Sequence, residues 1–154
     1  GKAMIFAARR GWNSYGCDLD EKCINYADEN IQKAVLASFI PEGTVIKAAH
    51  GNFFEGNPPD EWMTGFWKKN LSGIYEPTGQ NVFESLEISP EEIDLFYHYE
   101  VLPVYPILNF MDKNAKNRSY LVYLTLSSSH MPNNVGSLSL IKTSFKQLFI
   151  YQKV

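Results

Sequence analysis

Ser14-Tyr15-Gly16-Cys17-Asp18-Leu19-Asp20 is the stretch on which the fold turns. Its first five residues read as a short strand, and Asp20 is placed to cap the helix that follows. That helix is expected to reach about Ser38: Ile24, Ala27, Ile31, Ala34, Val35 and Ser38 recur at spacings of three and four, while Asp28, Glu29, Gln32 and Lys33 fill the wet side. Pro41-Glu42-Gly43 ends it, and Thr44 to Ala49 forms a second, mostly apolar strand. Upstream, Lys2 to Arg10 is an apolar helical pattern with basic residues in its last turn and Gly11 as a stop. The order helix, strand, helix, strand argues for parallel pairing through right-handed crossovers. The first helix has no cap residue or opposing strand before it, so the chain is expected to begin partway through a larger unit.

Further along, Asn57-Pro58-Pro59-Asp60 reads as a turn, and 61–69 as a short helix bearing Trp62, Phe66 and Trp67. Ser89-Pro90-Glu91-Glu92 has capping-box chemistry for a single helical turn, which feeds a strand over Ile93 to Tyr99. Pro103 and Pro106 head a helix with Ile107, Leu108, Phe110 and Met111. Tyr120 to Leu126 is a further strand. Ser137 to Ile141 and Phe145 to Lys153 then read as a closing antiparallel hairpin.

At 154 residues and 45% apolar, the chain suffices for one domain spanning 1–154. The net charge is −3 and basic residues occur in ones and twos, a pattern unsuited to a phosphate backbone. No apolar run approaches the ~20 residues of a spanning helix, so no membrane partner is expected, and the protein reads as unsecreted and cytoplasmic. Cys17 and Cys23, with His50, His98 and His130 dispersed, make no metal set and no disulfide framework. Both cysteines are expected to be buried or half-buried thiols, with no disulfide-linked partner.

Four pieces together carry a family likeness: Gly1 to Ala8, Tyr15 to Asp20, His50-Gly51-Asn52-Phe53-Phe54-Glu55, and Ile93 to His98. In their order, with the closing hairpin, the chain resembles the class I S-adenosylmethionine-dependent methyltransferases. The resemblance implies an α/β fold: a Rossmann-like, mostly parallel sheet flanked by helices, with a C-terminal antiparallel hairpin and the first strand missing. It also implies S-adenosyl-L-methionine as a small-molecule cofactor. Gly1 matches the last glycine of the family's cofactor loop, and Asp18, beside Leu19, the acid that takes both ribose hydroxyls. Asn52-Phe53 matches the adenine-binding pair, with Asn where the family usually has Asp. Tyr97, His98 and Tyr99 fall at the acceptor side, where His98 is a candidate general base.

Methyl transfer proceeds by in-line attack and asks mainly for alignment and desolvation, so the acceptor, whether small molecule, protein or RNA, is not legible. Two other functions fit the same residues. One is a non-catalytic cofactor-binding or scaffold domain, which Asn52 favours. The other is a nicotinamide-binding domain, where an acid also reads a ribose. Asn57-Pro58-Pro59-Asp60 is better explained as a turn than as an amino-methylating motif, since it ends in Asp and follows the third of the family's strands.

Overall fold

Asp20 accepts a hydrogen bond from the Lys22 amide at 2.9 Å and so starts the longest helix among the described residues of the computed structural model, as its position predicts. The structure describes residues 1–18, 20–51, 82–99, 104–125, 131–141 and 147–154. The described residues up to Glu87 form one compact unit, and those from Ile88 to Val154 another.

In the first unit α1 (Lys2–Ala8), β1 (Ser14–Asp18), α2 (Glu21–Leu36) and β2 (Ile46–His50) follow the expected order. The strands pair in parallel, from Ser14 opposite Ile46 to Asp18 opposite His50. Small residues let α1 approach both the sheet and α2: a methyl group on Gly16 would collide with the Met4 sulfur, and one on Gly1 would lie 3.2 Å from the Ala27 Cα. Ala27, Ile31 and Ala34 are the buried residues of α2. Val35, read from the spacing as buried, is 53% exposed, because the helix stops one residue later and Ser38 turns to a φ of 55°. A short α3 (Val82–Leu86) also contacts β2, and Lys47 pairs with Glu87 beside it.

The second unit opens with a 3-10 turn at Pro90–Glu92, where the Ser89 amide donates to Glu92 Oε2 at 2.8 Å. Then come β3 (Leu95–Tyr99), α4 (Val104–Asn114), β4 (Tyr120–Leu124), β5 (Asn134–Val135), β6 (Leu138–Ile141) and β7 (Leu148–Lys153). The strands form one sheet in the order β3-β4-β7-β6-β5. Phe96, Leu121, Tyr123, Leu138 and Tyr151 share the buried face with Ile107, Leu108 and Met111 of α4. Phe96 meets Phe110 edge-on, with ring centroids 6.3 Å apart.

The expected mostly parallel, Rossmann-like sheet flanked by helices is overturned. Among the described residues β1 and β2 make a two-stranded parallel sheet of their own, and the five-stranded sheet is mixed, parallel only between β3 and β4. The reason lies in the connections. The links from β5 to β6 and from β6 to β7 are shorter than the dozen or more residues that a parallel crossover needs, so these strands pair antiparallel, and β7 then lies antiparallel against β4. The closing β6–β7 pairing is antiparallel as read from the sequence. The expected turn at 57–60, the helix at 61–69 and the aromatic residues on it lie outside the described residues. No helix among the described residues is long and apolar enough to cross a membrane.

Candidate functional site

Asp18 ends β1 with an exposed side chain, and its Oδ1 accepts the Asp20 amide at 2.9 Å. This Asx-type turn fixes the carboxylate at the mouth of the strand and simultaneously delivers Asp20 to the helix cap. The Gly51 amide donates to the Asp18 carbonyl at 3.0 Å, so the chain leaves β2 directly beside the end of β1. Both strands therefore open on the same edge, where α/β sheets take ligands.

A cavity of about 310 Å³ adjoins this edge. Gly1, Met4, Gly16, Asp18, Cys23 and Ala27 are among its lining residues, so α1, β1 and α2 all contribute. Its size lies at the lower end of the range for small-molecule sites, roughly 300–1,000 Å³. The Asp18 charge is the acidic feature of the lining. Two thiols register that charge. Burial first, and the Asp18 carboxylate second, push the Cys17 thiol up to about 12. Cys23 is raised as well, chiefly by Asp18.

Two of the residues matched to a cofactor site, Gly1 and Asp18, are thus brought together on one cavity. Leu19, Asn52 and Phe53 lie outside the described residues. The acceptor-side candidates sit in the other unit, on β3. Strand alternation separates them: Tyr97 and Tyr99 are 48% and 46% exposed on one face, whereas His98 turns to the other and stacks on Tyr123 at 5.7 Å. These three side chains do not converge on a common point.

Cys23 was expected to be at least half-buried, and it is exposed, because the first turn of α2 directs it to the cavity. Tyr26 and Asn30 also line the cavity, and the sequence reading did not single them out. A signal existed: 23, 26, 27 and 30 repeat at helical spacing beside the buried stripe of Ala27, Ile31 and Ala34. Among the described residues no group of three His, Cys, Asp or Glu side chains is placed to hold a metal ion. No family model matches the chain, and no curated protein matches it.

Proposed function

We propose that the first unit binds S-adenosylmethionine through Asp18, and that the chain serves methyl transfer to a small-molecule, protein or RNA acceptor in the cytoplasm. One observation carries this reading: an exposed carboxylate at the carboxyl end of a parallel strand, held by the Asp20 amide beside a ligand-sized cavity. A carboxylate so placed accepts two neighbouring ribose hydroxyls side by side. The reading rests on this local strand-turn-helix arrangement and not on a continuous sheet. Both cysteines are free thiols, which suits a reducing compartment.

A second reading, cofactor binding without turnover, is favoured by the separation of His98 from Tyr97 and Tyr99 on opposite faces of β3. Calorimetric titration with S-adenosylhomocysteine, with NADH in parallel, tests what both share. Saturable binding of the former alone, lost in Asp18→Ala, is the expected result. Binding of NADH alone moves the site to the nicotinamide class, and binding of neither by a folded chain sinks the proposal. Consumption of S-adenosylmethionine on addition of acceptors then separates turnover from binding.

A further inference from the structure

The opposite end of the first unit from Asp18 carries a second feature. Phe6 is 62% exposed, Trp12 57%, Leu36 85% and Phe39 57%, all where α1 and α2 terminate. Two arginines are set among them: the Arg10 guanidinium lies 4.9 Å over the Phe6 ring, and that of Arg9 lies 5.8 Å over Phe39. The Arg9–Phe39 contact joins the two helix ends into one surface. In the sequence, no acidic residue occurs from 1 to 17 or from 30 to 41, although the whole chain carries −3. Arg9 and Arg10 therefore carry a local positive charge that runs against the overall balance.

Both helices end in the same way. The Trp12 amide donates to the Ala7 carbonyl and that of Gly11 to Ala8, with Gly11 at a φ of 79°. The Phe39 amide likewise donates to Ala34 and that of Ser38 to Val35, with Ser38 at 55°. This is the Schellman arrangement twice over, and it places an aromatic residue just beyond each helix. It also satisfies carbonyls that would otherwise face outward, and the Phe6 carbonyl accepts from Arg10 at 3.4 Å. Each carbonyl paired in this way lowers the cost of bringing the end against an apolar medium, since it need not be stripped of water unpaired.

We infer that this arginine-aromatic end docks on an anionic lipid surface. Large apolar side chains at helix ends and turns, flanked by cations, match the layering of a bilayer interface: rings and aliphatic groups at the acyl boundary, guanidinium groups at the phosphates. The cytoplasmic leaflet supplies the negative charge. The absence of a spanning helix among the described residues bears on crossing a bilayer and not on lying against one. The docking end and Asp18 are independent, so either reading stands without the other.

Co-sedimentation with vesicles at low ionic strength tests it, using phosphatidylcholine alone and with added phosphatidylserine, and single-stranded oligothymidylate as a competing polyanion. Binding to the anionic vesicles only, weakened by salt, is expected. Arg9→Gln with Arg10→Gln should weaken it about 30-fold, the factor for two interfacial cations. Trp12→Ser with Phe39→Ser should abolish it while circular dichroism stays unchanged, since both residues are more than half exposed. Failure to bind anionic vesicles overturns the proposal, as does equal binding by both double variants and the parent. Retention by the oligonucleotide in place of vesicles assigns the surface to nucleic acid and overturns it equally.

Discussion

Lys153 Nζ donates to the Ala115 carbonyl at 2.6 Å, so the last residue of β7 closes the end of α4. The same ammonium reaches the carbonyls of Asp112 at 2.8 Å and Met111 at 3.2 Å, and Lys153 is only 8% exposed. A cation at a helix C-terminus meets both the orphan acceptors and the negative end of the dipole. The Met111 oxygen also accepts the Ala115 amide, so the loss in Lys153→Met falls on Asp112 and Ala115. Leaving two buried or half-buried carbonyls unpaired should cost about 2–4 kcal/mol, read as a lower urea midpoint at unchanged slope. An unchanged midpoint would mean that water replaces the ammonium without loss.

Asp112 and Ser137 form a pair through which the second unit should respond to acid. Asp112 Oδ1 accepts both the Ser137 hydroxyl and the Ser137 amide at 2.6 Å. The hydroxyl first, and the amide next, hold the Asp112 carboxyl below the usual carboxylate range. With the folded value depressed, the stabilisation is fully present above the unfolded value of about 3.9 and is lost as pH falls through the folded one. Ser137→Ala removes the leading cause and leaves the amide. Its acid-unfolding midpoint, followed by circular dichroism, should therefore lie at higher pH than the parent's, with the two proteins converging in strong acid. Coincident acid transitions would show that this carboxylate does not govern them.

Most of the described elements were legible from the chain, α3 and β5 excepted, and the sheet to which they belong was not. Strand and helix patterns are local: Asp20 announces a cap, the 27-31-34 stripe a buried face, and Gly11 a stop. Pairing partners are set at long range. The family resemblance implies one mostly parallel sheet for all the strands, yet among the described residues β1 and β2 pair apart from β3-β4-β7-β6-β5, and no spacing in the sequence encodes that choice. The site shows the same limit. Asp18 was identifiable because a strand-to-helix junction is itself local, whereas the cavity wall formed by Met4, Gly16 and Cys23 exists only after three elements pack. Tyr97, His98 and Tyr99 were read as a group, and simple alternation along β3 divides them.

Two glycines should respond differently to alanine. Gly136 turns β5 into β6 at a φ of 55°, and a methyl there runs into the Asp112 carboxylate, which Ser137 holds in place. Gly136→Ala should cost about 1–3 kcal/mol through backbone strain and the displaced carboxylate together. At Gly16 the obstacle is the Met4 sulfur at the end of a flexible side chain. Gly16→Ala should cost about 1 kcal/mol or less, because a thioether re-packs easily. Paired denaturation curves decide it, and a larger loss at Gly16 would mean that Met4 is more tightly held than its chemistry suggests.

Thiol chemistry offers a direct readout of the Asp18 field. Cys23 is exposed and Cys17 half-buried, yet the thiolate that attacks an alkylating reagent is disfavoured at both. For Cys23 the leading cause is the Asp18 charge, with desolvation and then Asp20 behind it. For Cys17 burial leads, and Asp18 is second. Neutralising the acid in Asp18→Asn should therefore lower the Cys23 value and speed its reaction with iodoacetamide near pH 8, while Cys17 stays slow because its burial is untouched. Mass spectrometry should find one labelled site in the folded protein and two in denaturant. Since Cys23 lines the cavity, a ligand bound against Asp18 should slow its labelling in the parent protein. An unchanged Cys23 rate in Asp18→Asn would place the controlling charge elsewhere, with Asp20, which lies beside Asp18 and shares its sign, as the remaining source.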